Sequence, residues 1–300
     1  MVRAEAAPRL RLRLLSPAAF RYTWLDVFTD VPCEGNGLAV VHGADELDDD
    51  AMLAFARETK LSETTFVQRP TEHGADYRNR IWTVAGEIPF AGHPSLGTAV
   101  AVALERGEET ARYVQQTVAG LQPVEVRVQR ESAWASMHQE PPWFGSELEP
   151  AYVLPAVGLE AGDASADLPP QVVSTGIPHV IAPLADLAAL QRARPEAEAL
   201  SFLLAEHGAI TLYLVAGESR AGELRARAFF PAGDGGEDPA TGSAAGPLCA
   251  YVAERLSVPR IEVVQGVEMG RPSRLSAEMD GDRPRVSGAA VVLVEGTLRL

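Results

Sequence analysis

The sequence predicts an α+β protein made of two similar halves. Three observations point to this. At ~150 residues per domain, a chain of 300 residues gives about two domains. A proline-rich stretch, residues 138–170, lies near the middle and interrupts regular structure. The segment Arg80-Ile-Trp-Thr-Val-Ala-Gly86 aligns with Arg227-Ala-Phe-Phe-Pro-Ala-Gly233, at an offset of 147 residues. After each copy comes a Gly/Pro turn and then a helix rich in Ala and other small residues. An offset near half the chain implies a pseudo-twofold relation. The expected division is a loosely ordered arm over residues 1–20, a first domain over 21–148 and a second over 149–300, whose last strand can return to the first.

The elements follow in order. Tyr22–Phe28 and Leu38–Val41 read as strands around the turn Glu34-Gly35-Asn36-Gly37. Asp48 can cap the free amides of a helix running to about Glu58. Thr64–Gln68 and Tyr77–Thr83 are strand candidates, and a helix is expected from Pro94 to about Glu105. Val124, Val126 and Val128 alternate with polar residues, the period of a half-buried strand. A short helix fits Tyr152–Leu159. In the second half, strands are expected at Gln171–Ser174, His179–Ala182, Ile210–Val215 and Leu224–Phe229. Helices are expected at Ala185–Arg192, Glu196–Glu206 and Thr241–Arg255, with short strands filling the C-terminus.

Composition excludes several function classes. The net charge of −15 argues against nucleic acid and against anionic membrane surfaces, both of which need clustered Lys and Arg. The two cysteines, Cys33 and Cys249, are too few for a disulfide scaffold or a Cys-rich metal site. Cys249 is expected in the core and Cys33 in an exposed turn. The longest apolar runs, Ala99–Leu104 and Gly288–Val294, are far shorter than the ~18 residues of a membrane span. The first twenty residues lack the sustained apolar region of a signal peptide, so the cytoplasm is the default location. No Rossmann fingerprint, Walker loop or metal-ligand cluster occurs, and neither cofactor nor metal is expected. A homodimer is the default assembly.

Three motifs carry candidate chemistry. In Ala91-Gly92-His93-Pro94-Ser95-Leu96-Gly97, a helix opening at Pro94 would aim the amides of Ser95, Leu96 and Gly97 outward as an anion site, with His93 at its mouth. Asp238-Pro239-Ala240-Thr241-Gly242-Ser243 opens the equivalent helix in the second half. Facing halves would bring both helix starts to one cleft, around a small anionic substrate. Glu63, in Ser62-Glu63-Thr64-Thr65, sits at a helix-to-strand connection, where neighbouring hydroxyls can orient it and burial can raise its pKa into the range of a general base. Taken singly, each motif also fits a plain role: a capped helix, a structural histidine, a surface glutamate. Asn36 fits a tight turn or a substrate contact, with Gly176-Ile177-Pro178-His179 as its counterpart. Arg271 reads as a surface ion pair.

Asp26-Val-Phe28, Gly35-Asn36, Leu61–Phe66, Pro89–Pro94, Asp238–Ser243 and Gln265-Gly266 through Gly270–Ser273 occur in this order. Together they closely resemble the phenazine-biosynthesis PhzF-like family of isomerases, over roughly residues 21 to 300. That resemblance implies a diaminopimelate epimerase-like fold, in which each domain is a curled, mostly antiparallel sheet around a central helix. It implies that Glu63 is the general acid/base and that His93, Asp238 and Ser243 support it. Asn36, Gly92, Ser95, Thr241 and Gly242, at the same turns, are the expected substrate contacts. Related racemases use a cysteine at each helix start; here those turns carry His93 and Asp238–Ser243, which disfavours two-thiol chemistry. Gly37 departs from the proline that the family often has there. The expected function is cofactor-independent proton transfer on a small carboxylate. The alternatives are an amino-acid racemase or epimerase, and a non-catalytic binding or scaffold protein on the same fold.

Overall fold

The computed structural model describes residues 18–129, 132–218, 221–231 and 236–300. Most of the arm expected over 1–20 lies outside them, as do Ala232 and Gly233 of the repeat. Ala19 and Phe20 already belong to the first strand.

Strands β1 (Ala19–Val27), β2 (Asn36–Val41), β3 (Glu63–Gln68) and β4 (Tyr77–Trp82) are followed by the two-residue strand β5 (Glu87–Ile88) and by β6 (Thr110–Thr117), β7 (Gly120–Gln129) and β8 (Ser132–His138). Helix α1 (Asp49–Thr59) connects β2 to β3, and Asp48 caps it by accepting from Ala51 N at 2.9 Å. Helix α2 (Gly92–Arg106) follows β5. The second half contains β9 (Trp143–Glu147), the short α3 (Pro150–Val153), β10 (Gln171–Ser174), β11 (Pro178–Pro183), α4 (Leu187–Arg192), α5 (Ala197–His207), β12 (Thr211–Glu218) and β13 (Glu223–Phe229). It continues with β14 (Glu237–Asp238), α6 (Gly242–Leu256), β15 (Arg260–Gln265), β16 (Ser273–Asp280) and β17 (Arg283–Arg299).

Pairing closes the first sheet on itself. β1 pairs with β2, β2 runs parallel to β3, β3 pairs antiparallel with β4, and β4 runs parallel to β6. β6, β7 and β8 form a meander; β8 joins β17, and β17 returns to β1. Eight strands thus surround α2, whose residues Gly92 to Ala103 are all buried. A helix enclosed on every side must be small and apolar all round, and the run Gly-Thr-Ala-Val-Ala-Val-Ala-Leu meets that demand. Its charge is confined to Glu105 and Arg106 in the last turn.

The second sheet runs β9-β10-β11-β12-β13-β15-β16-β17. It repeats the parallel step (β11 with β12), the antiparallel step (β12 with β13), the short hairpin (β13 with β14) and the second parallel step (β13 with β15). α6 packs on it much as α2 packs in the first. In this register Trp82 corresponds to Phe229 and Arg80 to Arg227. The matched arginines do the same work. Arg80 holds both oxygens of Glu87 at 2.8 and 2.6 Å, and Arg227 holds both of Glu237 at 2.7 and 2.7 Å. Each guanidinium also lies over an aromatic ring, Trp82 or Phe229.

The C-terminus differs from the short strands expected there. β17 is 17 residues long because it finds successive partners along its length: Arg283–Ser287 with β16, Arg285–Ala290 with β8, and Ala290–Arg299 with β1. One strand thereby stitches both sheets, and one continuous core runs from Leu25, Leu96 and Val100 to Leu248, Tyr251 and Ala290. β6, β8 and β9 were not expected. β6 escapes notice because it buries Gln115, Gln116 and Thr117, polar residues with no apolar alternation. Among the described residues, no helix is long and apolar enough to cross a membrane.

Candidate active site

The two central helices begin at one point. A Cβ on Gly92 would lie 3.0 Å from Gly242 C and from Ser243 N, so only glycine permits this approach. Phe28 closes the other side, since a Cβ on Gly242 would meet its ring at 2.9 Å. α2 starts at Gly92 and not at Pro94, which corrects the expected anion site. Ser95 N bonds back to Ala91 O at 3.3 Å, so its amide is occupied within the helix, and its side chain is fully buried. The Ser95 hydroxyl has no hydrogen-bond partner among the described residues. The amides left without an intrahelical acceptor are those of Gly92 and His93. In α6 they are those of Gly242 and Ser243, because Ala244 N and Ala245 N both bond to Thr241 O.

Glu63 stands at the first position of β3, with its side chain only 16% exposed. His93 Nε2 lies 3.4 Å from its Oε2 without the alignment of a hydrogen bond, and neither atom has a hydrogen-bond partner among the described residues. Burial, reinforced by the charge of Asp238, pushes the Glu63 carboxyl up to about 8. Burial drives His93 the other way, down to about 3, so its ring is neutral at pH 7. Asn36 Nδ2 lies 3.2 Å from His93 Nδ1. Its donation there places the proton of a neutral ring on Nε2. The hydroxyls expected to orient Glu63 do not. Thr64 alternates to the other face and meets Thr59, while Thr65 bonds Thr98 at 2.8 Å.

Asn36 also joins the two halves, donating to Asp238 Oδ1 at 2.8 Å. Asp238 sits in β14 beside the clamped Glu237. Thr241 Oγ1 donates to its Oδ2 at 2.6 Å. Burial raises the Asp238 carboxyl to about 6, while the bonds from Thr241 and Asn36 oppose the rise. Thr241 occupies the N-cap position, yet its hydroxyl serves Asp238 and not the helix. Ser243 is half-buried at the second position of α6, the place His93 holds in α2. Glu63, His93, Asn36, Asp238, Thr241, Gly92, Gly242 and Ser243 thus gather around the two helix starts, with Ser95 the fourth residue of α2.

Sequence reasoning missed three partners. Gln265 and Tyr213 stand behind Asp238, and Gln139 donates to Gly242 O at 2.9 Å. The pairing Gln265-Gly266 was visible as a motif but suggested no role. Arg271 is not a surface ion pair. It donates to the buried Asp26 at 2.6 Å and to Gly35 O and Glu34 O, both at 2.8 Å, which fixes the loop that precedes Asn36. Cys249 is buried and Cys33 exposed, as expected. Among the described residues, no group of three His, Cys, Asp or Glu side chains is placed to hold a metal ion. A surface cavity of about 200 Å³, lined by Arg127, Trp134, Arg260 and Arg285, lies apart from these residues.

Residues 25–296 match the PhzC-PhzF family, described as phenazine biosynthesis-like protein. A trans-2,3-dihydro-3-hydroxyanthranilate isomerase of Pseudomonas aeruginosa is 39% identical over 275 residues, covering 90% of this chain and 94% of its own. The crystal structure of a Bacillus anthracis phenazine biosynthesis protein of the PhzF family superposes with a TM-score of 0.82 at 28% identity, over 94% of this chain and 100% of its own. A hydroxyproline epimerase from Agrobacterium vitis, at 14% identity and a TM-score of 0.63 over 94% of this chain and 93% of its own, shares the fold. The chain belongs to the PhzC-PhzF family of phenazine biosynthesis-like proteins and is an isomerase.

Proposed function

We propose that Glu63 moves a proton on a small carboxylate substrate bound between the starts of α2 and α6. The observation that carries this reading is the facing pair Glu63 and His93: a nearly buried carboxyl pushed up to about 8, 3.4 Å from a neutral imidazole, with neither facing atom hydrogen-bonded to the protein. A carboxyl with that pKa gives up and retakes a proton near neutral pH, which suits a group that acts as base in one step and acid in the next. Ionised Glu63 removes a proton from carbon, holds it, and returns it at a different carbon. His93 Nε2 faces that carboxyl at 3.4 Å. The free amides of Gly92, His93, Gly242 and Ser243 hold the substrate carboxylate or the negative charge that develops as the proton leaves. Asp238, bridged to His93 by Asn36, orients the substrate from the second half. The transfer is redox-neutral and needs no electron or group carrier.

The relative at 39% identity is named for trans-2,3-dihydro-3-hydroxyanthranilate, which makes that compound the first to test. The experiment is incubation in deuterated water followed by NMR, with a panel that adds cyclic and amino carboxylates, for wild type and Glu63→Gln. Label should enter with wild type and fall by at least ~100-fold in the variant, the span of general acid–base catalysis. Undiminished incorporation by the variant overturns the assignment. Asp238, a second carboxyl with a raised pKa, favours a second reading as a racemase or epimerase. Label at one inverted stereocentre, with no shifted double bond, would select it.

A further inference from the structure

Gln265 ends β15 and is fully buried, and both ends of its amide are engaged. Its Nε2 donates to Asp238 O at 2.7 Å and to Thr241 Oγ1 at 2.9 Å. Its Oε1 accepts from Tyr213 OH at 2.9 Å and from Thr241 N at 3.2 Å. Gly266 follows with φ +78°, and a Cβ there would lie 2.6 Å from Pro239 O, so the chain behind the Asp238 turn is pressed directly against it. The Thr241 hydroxyl has a single proton. Its oxygen accepts from Gln265 and sits 2.6 Å from Asp238 Oδ2, so that proton points at the carboxylate. The first half has no such brace. There the corresponding place on β6 is Thr117, which bonds locally to Gly120 O, and the place of Asp238 on β5 is Ile88.

We propose that Gln265 is a positioning residue for the reaction: held by Tyr213, it fixes the Asp238–Thr241 turn and directs the Thr241 hydroxyl proton onto Asp238, so that Asp238 meets the substrate as a carboxylate. This rests on the function proposed above only for the place of Asp238 beside the substrate. Around Asp238, Asn36 donates from β2, Glu63 on β3 and Tyr213 on β12 feel its charge, His93 on α2 is reached through Asn36, and Glu237 is neutralised by Arg227. Of the side chains bonded to the Asp238 carboxyl, Thr241 is the one that Gln265 controls.

The test uses full-length Gln265→Met and Tyr213→Phe. The titration of the Asp238 carboxyl is followed by ¹³C NMR, its signal assigned by loss in Asp238→Asn. Turnover of trans-2,3-dihydro-3-hydroxyanthranilate is measured across pH. The expected result is an Asp238 midpoint above the wild-type one in Gln265→Met and a smaller rise in Tyr213→Phe. kcat should fall about tenfold or more in Gln265→Met, with a smaller change in KM. An unchanged Asp238 midpoint in folded Gln265→Met overturns the proposal, even if kcat falls, because the residue would then be merely structural. If Gln265→Met does not fold, the isosteric Tyr213→Phe decides, and an unmoved midpoint there overturns it. Retained turnover in Glu63→Gln would sink the Glu63 reading while leaving the Asp238 midpoints to judge Gln265.

Discussion

The two halves share a scaffold and differ where they face each other. Both carry a bidentate Arg–Glu pair at the same register, a two-residue strand after it and a 15-residue buried helix. At the start of β3, however, the first half has Glu63, and at the start of the matching β12 the second has Thr211. At the second position of the helix the pair is His93 and Ser243. On the short strand it is Ile88 and Asp238. Thr211 bonds the buried His179 at 2.7 Å, which fills with a neutral contact the place where the first half keeps an ionisable group. Duplicated architecture therefore supplies the frame, and departures from the duplication supply the chemistry. Each half contributes one carboxylate, from different elements.

Making the halves alike should break the site. His93→Ser copies the second helix start into the first and leaves Glu63 without its facing ring. Turnover should fall by ~100-fold or more with the fold intact by circular dichroism. A smaller loss, about tenfold, is expected for Gly92→Ala. Its methyl would press on Gly242 and Ser243, and overpacking of this kind costs about 1–3 kcal/mol, readable as a lowered midpoint in denaturant.

The matched arginines sharpen the comparison. Arg80→Met and Arg227→Met each strand a partly buried glutamate, at a cost of about 3 kcal/mol. Only Arg227→Met should also lower kcat, by a few-fold, because Glu237 adjoins Asp238 whereas Glu87 adjoins Ile88. Equal effects of the two on kcat would contradict the division of labour drawn here.

The smallest effects concern pH. If Glu63 initiates as a base, kcat/KM rises toward pH 8 as the carboxyl ionises. In Asp238→Asn the inflection moves lower, since removing a nearby negative charge eases ionisation. Stability follows the opposite course. The native state holds the Glu63 proton up to about pH 8, whereas the unfolded chain releases it near the ordinary 4.5. Rising pH therefore favours unfolding through this group across that window. Glu63→Gln removes the effect, so its Tm should exceed that of wild type by a margin that grows from pH 5 to pH 9. A constant margin would contradict the raised value.

Much of this was legible in the chain. The Arg80 and Arg227 repeat is visible at residue level because both arginines perform one task in one register. α2 and α6 announce themselves by small apolar runs, which only an enclosed helix tolerates. Asp48 reads as a cap because capping is local. β6 was not legible, because it buries Gln115, which accepts from Asn79, and Gln116, which donates to Thr71 and Glu72, and hydrophobic alternation does not reveal such a strand. Neither was the start of α2. Pro94 permits a helix to begin there, but the two residues before it are drawn into the helix where it meets α6.

The sequence by itself determined the residue types and their order: a glutamate, a histidine and an aspartate at chain connections, and glycines where two helices must touch. Those are local choices, written in turn chemistry, periodicity and spacing. Only the tertiary structure decided that Asn36, beside His93, would reach Asp238 across 202 residues, that Gln265 would brace the Asp238 turn, and that one 17-residue strand would bind both sheets. It also decided the raised value at Glu63. That value comes from the removal of water and the nearness of Asp238, and both are properties of what surrounds a residue in space, which its neighbours along the chain do not record.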